Sequence, residues 1–133
     1  MKVSMMPTDY RDLLERSLLA VLATTMPDGS PQATPLWFDF DGQFIRINSA
    51  RGRAKDRNMR RDPRVALVII DDANPYRYVQ IRGRVVEIIE GDVAREHINQ
   101  LSQRYTGQDW QLASPDEVRV MYSILPEHVS GLG

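Results

Sequence analysis

A chain of 133 residues, 42% hydrophobic and 26% charged, has the balance of a folded domain rather than a disordered segment. At this length roughly two-thirds of the unfolded surface can be buried, so residues 1–133 are expected to form one domain without a disulfide or structural metal. The lack of cysteine excludes disulfides, thiolate zinc sites and cysteine nucleophiles, and a formal net charge of −1 leaves no global field to draw nucleic acid or membrane.

In chain order, Pro7, Thr8 and Asp9 offer a cap and an acidic first turn for a short helix to about Arg16, with Leu13, Leu14 and Ser17–Leu18 toward the core. Leu18–Thr24 reads as a buried strand. The charged stretch before it mixes both signs at helical spacing, which a signal peptide avoids, and a cytoplasmic protein is expected. Neither Leu18–Ala23 nor Val65–Ile70, the longest apolar runs, approaches the length of a membrane span. Pro27-Asp28-Gly29-Ser30 is a turn, Gln32–Phe40 a second strand, and Asp41-Gly42 a tight hairpin into a third strand, Gln43–Ser49. Gly52–Arg61 has the composition of a short helix, ended by Asp62-Pro63. Arg64–Asp71 is a fourth strand, its Val65–Ile70 core expected to be buried on both faces. Tyr76–Ile89 is a long fifth strand in which Gly83 predicts a bulge. Gly91–Tyr105 is a helix with Ala94, Ile98, Leu101 and Tyr105 on one side. After a loop over 106–117, Val118–Leu125 is the sixth strand. Six antiparallel strands with peripheral helices predict a mainly β protein, a barrel.

Charge is unevenly distributed. Eight of the seventeen Lys and Arg residues fall between Arg46 and Arg64. Asn48–Asn58 runs off a strand end, through Gly52, into a helix, where free N–H groups and the positive end of the dipole favour an anion. Ser49 can add a hydroxyl donor, and Arg51, Arg53 and Lys55 charge-assisted bonds, so a bound phosphate is one reading. An ordinary solvated helix face, with Asp56 and Arg60 as an i,i+4 pair, is another. A nucleic-acid patch is a third, weakened because no aromatic residue between Arg46 and Arg64 could stack on a base.

These pieces carry a resemblance: Leu22-Ala-Thr, Pro27-Asp-Gly-Ser-Pro-Gln-Ala-Thr-Pro-Leu-Trp-Phe38, Arg51-Gly-Arg-Ala-Lys-Asp-Arg-Asn58, Arg61-Asp-Pro-Arg-Val-Ala-Leu67, Asn74-Pro-Tyr-Arg-Tyr-Val79 and Arg82-Gly-Arg-Val85. In this order the chain resembles the pyridoxamine 5′-phosphate oxidase-like split-barrel flavoproteins. More narrowly, it resembles the branch of deazaflavin (coenzyme F-420)-dependent oxidoreductases. The resemblance implies an FMN-binding-type split β-barrel and a homodimer with two cofactor sites between subunits. It implies that Gln32, Thr34, Pro35 and Leu36 lie along the tricyclic ring. Asn48 and Ser49 would flank the ribityl chain, and Arg51, Gly52, Arg53 and Lys55 would hold the phosphate. Asn58 would bond nearby or anchor the helix, Arg77 and Tyr78 would come from the second subunit, and Trp37 would wall the site or pack in the core.

No side-chain catalyst is expected. His97 and His128, the only histidines, lack spaced carboxylate partners for a triad or metal site and are read as structural or surface residues. Hydride transfer at a bound ring needs no protein nucleophile. Arg57, Arg60, Arg61 and Arg64 exceed what one phosphate needs, which favours deazaflavin coenzyme F-420, with its phosphodiester and carboxylate tail, over FMN; pairing with Asp56 or Asp62 is the competing account. The substrate implied is a small unsaturated or quinone-like molecule. Vitamin B6 oxidation is not expected, because the C-terminal segment those enzymes use is missing after Leu125–Val129. A cofactor-storing or sensing protein of the same fold is the non-enzymatic alternative.

Overall fold

The computed structural model describes residues 7–132. After a 3-10 turn (Thr8–Tyr10), the elements are α1 (Arg11–Glu15), β1 (Ala20–Thr25), β2 (Pro31–Leu36), β3 (Phe38–Phe40), β4 (Ile45–Ala50), α2 (Ala54–Arg61), β5 (Arg64–Ile70), β6 (Tyr78–Glu90), α3 (Asp92–Thr106) and β7 (Arg119–Leu132). The protein is mainly β, with all strand pairs antiparallel.

There are seven strands, not the six expected. The Gln32–Phe40 segment divides at Trp37: β2 pairs with β1, whereas β3 pairs with β4. In the sheet order β2-β1-β5-β6-β7-β4-β3, these two halves are opposite edges. Leu36 and Phe38 are two residues apart and so within about 7 Å. The edges must therefore meet at Trp37, which curls the sheet into a barrel with a seam opening away from that corner. A run of continuous extended residues gives no local sign of such a crossing.

Inward-pointing side chains fill the barrel. Leu22, Phe38, Ile45, Ile47, Leu67, Ile69, Ile81, Tyr122 and Ile124 are buried on alternate strand positions, and Leu13, Leu14 and Met59 enter the same core from α1 and α2. Ser17, expected inside, is exposed. Val65–Ile70 is not buried on both faces either: Val65, Leu67 and Ile69 are inside, but Ile70 is 45% exposed. A bulge forms at Gly83, where the β6–β7 register shifts. A Cβ there would strike the Leu125 carbonyl, so only glycine admits this close approach. Pro126 sits opposite Gly83, where its missing N–H breaks no regular ladder. That placement lets β7 continue through Pro126 to Leu132, seven residues past the expected end. No described helix is long and apolar enough to cross a membrane.

Candidate functional site

Two hydrogen-bond systems fix the segment between β4 and α2. At the chain turn, Gly52 has φ of 92°, and its N–H donates to Asp56 Oδ2 at 2.9 Å. Asp56 is buried at 1% exposure and also accepts from Tyr122 Oη (2.5 Å) and Arg60 Nε (2.9 Å). Burial opposes its ionisation, but these three donors outweigh it and hold the carboxyl below its ordinary value. The same contact, together with burial, pushes the Tyr122 phenol up. Farther along α2, Asn58 Nδ2 donates to Thr24 Oγ1 at 3.0 Å, and Thr24 Oγ1 lies 3.0 Å from Gln32 Oε1. Asn58 thus anchors the helix to β1 across the seam. No side chain caps the N-terminus of α2.

The cations differ in how far they are committed. Arg51 donates to Glu90 at 2.7 Å, and Arg53 lies 4.0 Å from Glu117. Arg57 bonds the Gly52 carbonyl, Arg60 is shared by Asp56 and Glu90, Arg61 bonds the Thr25 carbonyl, and Arg64 pairs with Asp62. Pairing with acids therefore accounts for the charge of Arg60 and Arg64, whereas Arg57 and Arg61 bond neutral oxygens, so the surplus-charge argument for a tailed cofactor keeps only part of its force. Lys55 is half-buried and makes no ion pair with a described residue. Burial, then the neighbouring Arg53 and Arg119, lowers its ammonium pKa. A notch of about 480 Å3 opens here, lined by Ala50–Arg53 on one side and Asp116, Glu117 and Val118 on the other.

Asn48 points elsewhere. Its Nδ2 donates to the Ala94 carbonyl (2.9 Å) and meets His97 Nδ1 (3.1 Å), and its Oδ1 accepts from Arg119 Nε (2.9 Å). His97 then carries its proton on Nε2, facing Asp39 Oδ1 at 3.3 Å, and Asp39 takes a forked pair of bonds from Arg46. His97 is buried at 2% exposure and, against expectation, has a carboxylate partner in Asp39, whereas His128 is exposed. The signal for His97 was its place three residues after Ala94 on the buried stripe of α3. Arg119 and Glu117 had no such signal. Among the described residues no group of three His, Cys, Asp or Glu gathers to hold a metal.

Thr34 on β2 and Ser49 on β4 occupy inward positions of the sheet, paired with Leu22 and Val120, and each has a buried hydroxyl with no hydrogen-bond partner among the described residues. Pro35, Leu36 and Trp37 line an apolar cleft of about 290 Å3 with Leu19, Asn48, Ile98, Leu101 and Trp110. Trp37 stacks on Tyr105 at 5.2 Å and meets Trp110 edge-on at 6.0 Å, and the Arg119 guanidinium lies 4.9 Å from the Trp110 ring. Trp37 therefore walls a cleft at the end of β2. Arg77, by contrast, is committed within its own chain to Asp12, Asp71 and the Asp9 carbonyl, so it clips α1 to the sheet. Tyr78 is half-buried and opens β6 beside Ile70 and Leu132.

The family model for pyridoxamine 5′-phosphate oxidase matches residues 6–133. Among solved structures, an F420 reductase is 38% identical over 94% of this chain and 98% of its own, with a TM-score of 0.85. A conserved hypothetical protein of Mycobacterium tuberculosis is 27% identical over 99% of this chain and 88% of its own, with a TM-score of 0.77.

Proposed function

The chain belongs to the pyridoxamine 5′-phosphate oxidase family of split-barrel proteins, and on that premise we propose that it is an oxidoreductase working through a flavin-type cofactor held as a phosphate ester in the seam. One observation carries this reading. Thr34 Oγ1 and Ser49 Oγ, buried and without partners, belong to the two strand segments that would flank such a cofactor. Native proteins rarely leave buried hydroxyls unpaired. The uncapped start of α2 and the uncommitted Lys55 fit a phosphate beside them.

Within the flavin-type class, the proposed cofactor is deazaflavin coenzyme F-420, with FMN as the alternative; the relative named F420 reductase supports the first. When bound, either group supplies a hydride-exchanging ring position, a carbon in the deazaflavin and a nitrogen in FMN. The chain's part is to hold and shield it. The edge of β2, from Gln32 to Leu36, offers unpaired backbone groups to the ring's polar rim. Ser49 and Lys55 orient the ribityl phosphate, and Arg51 and Arg53 add charge at the notch mouth. The Trp37–Trp110 cleft suits a flat apolar acceptor, which supports a small unsaturated or quinone-like substrate. No side chain is required as acid, base or nucleophile.

We also propose that two copies complete the site. The outward face of the sheet places Pro35, Val21 and Val68 in one cross-strand row and Ile70, Tyr78 and Leu132 in another. Val21, Ile70 and Leu132 are 39%, 45% and 57% exposed. An apolar sheet face of this kind is what a partner subunit covers.

Titration of the purified protein with FMN and with the deazaflavin, followed by absorbance, tests the proposal. One of them is expected to bind with micromolar or tighter affinity, and Arg53→Ala with Lys55→Ala to weaken it at least tenfold. Failure of both ligands to bind overturns the reading. Stopped-flow oxidation of the reduced complex by quinones separates an enzyme from a storage protein, which would bind tightly and pass on no hydride.

A further inference from the structure

Acid faces base across the notch at the start of α2. Arg51 and Arg53 line one wall and Asp116 and Glu117 the other. The Glu117 side chain is 7% exposed, with Oε1 3.2 Å from Arg119 Nη1 and Oε2 4.0 Å from Arg53 Nη2. Arg119 is itself buried and is braced by Asn48 Oδ1 and the Trp110 ring, so Glu117 is held from behind by a cation that does not reorient freely. Arg51 is shared with Glu90, whose second oxygen is taken by Arg60. The lining of the notch thus holds two arginines, each with a carboxylate beside it, and two acids, while Lys55 lies outside that lining.

An anion entering this notch meets two arginines that already have carboxylate partners and, facing Arg53, the fixed carboxylate of Glu117. A phosphomonoester carries close to two negative charges at neutral pH and a phosphodiester one. The second charge finds no cation in the lining without a carboxylate partner and is repelled by Glu117, in surroundings where partial burial strengthens the repulsion. Resting on the proposal that the notch holds the cofactor phosphate, we infer that Glu117 sets its specificity, favouring a singly charged phosphodiester over a doubly charged phosphomonoester. Glu117 acts by charge and touches no reacting atom. The same charge balance makes the notch a match for the diester of a deazaflavin coenzyme and a poorer one for FMN.

The test compares two ligands that share one ring and one ribityl chain, FMN and its methyl phosphodiester, by fluorescence titration of the intact protein at neutral pH. If the flavin ring is refused, the same monoester and methyl diester pair is built on the deazaflavin ring. The unmodified protein is expected to bind the diester about tenfold tighter than the monoester. Glu117→Gln keeps an oxygen for Arg119 to donate to and removes the charge; it is expected to tighten the monoester until the two ligands differ by less than about threefold. A preference for the monoester in the unmodified protein, or a ratio untouched by Glu117→Gln, overturns the inference while leaving the cofactor reading intact. If Glu117→Gln folds poorly, Glu117→Ala is measured in its place, and a ligand ratio untouched by it likewise overturns the inference. Failure of every ligand to bind overturns the cofactor reading and this inference with it.

Discussion

Lys55 and Arg51 sit four positions apart, yet the structure treats them differently. Arg51 spends its charge on Glu90, whereas Lys55 is half-buried and unpaired among the described residues. A charge-assisted bond from Lys55 to a ligand phosphate is worth about 1.5–3 kcal/mol, or roughly 10- to 100-fold in affinity. Lys55→Ala is expected to weaken cofactor binding by that factor, and Arg51→Ala by only a few-fold, as measured by fluorescence titration. Asp56 makes a second prediction. Its folded-state pKa lies below its unfolded value near 3.9, so its contribution to stability is present above that value and is lost as pH falls through the lowered one. Asp56→Asn leaves Tyr122 and Arg60 short of a charged acceptor and is expected to cost about 3 kcal/mol at neutral pH. Urea unfolding should also show a shallower loss of stability below pH 4 in that variant.

At the scale of elements, the β6–β7 pair and the β4–α2 turn determine where everything else lies. Gly83 lets β7 approach closely enough to take Pro126 into the ladder, and the bulge re-aims the strand that carries Arg119 and Tyr122. Gly83→Val would force the two backbones apart and is expected to cost about 3 kcal/mol or more, seen as a lowered urea midpoint or loss of soluble protein. The bulge at Gly83 and the helix over Gly52–Arg61 were legible in the sequence because a mid-strand glycine and a run of helix-forming residues stopped by Asp62-Pro63 are local signals. The division of β2 from β3 was not. Trp37 is as compatible with a strand interior as with a barrel corner, and only the pairing partners distinguish them.

The whole molecule presents its apolar outward sheet face as the surface that a second copy would cover. A stable interface buries about 800 Å2 per partner, and charge placed at its centre is costly. Val68→Glu is expected to give a monomer in sedimentation and to weaken cofactor binding in parallel if two subunits build the site. Loss of the dimer with cofactor affinity unchanged would show that one chain suffices. The alternation of β5 bears on this directly. Val65–Ile70 reads in sequence as a strand buried on both faces, but within one chain only Val65, Leu67 and Ile69 are fully buried, Ala66 and Val68 are half-buried and Ile70 is exposed. The apolar run is consistent with a second cover that lies outside the chain.

What the sequence by itself determined is the family, the mainly β architecture and the basic segment of Asn48–Asn58, because turn residues, strand alternation and a charge-dense motif are written in neighbouring positions. For Asn58 it left two roles open, bonding near the phosphate or anchoring the helix, and in the structure the side chain bonds Thr24 on β1. Only the tertiary structure decided which of those charges are free. Arg57, Arg60, Arg61 and Arg64 are taken up by nearby acids and carbonyls, Asn48 turns to Arg119 71 positions away, and Glu117 comes from a loop to face Arg53. A cation's availability depends on the carboxylates that folding brings within a few ångströms, and at that range Coulomb attraction is set by position in space, not by order along the chain.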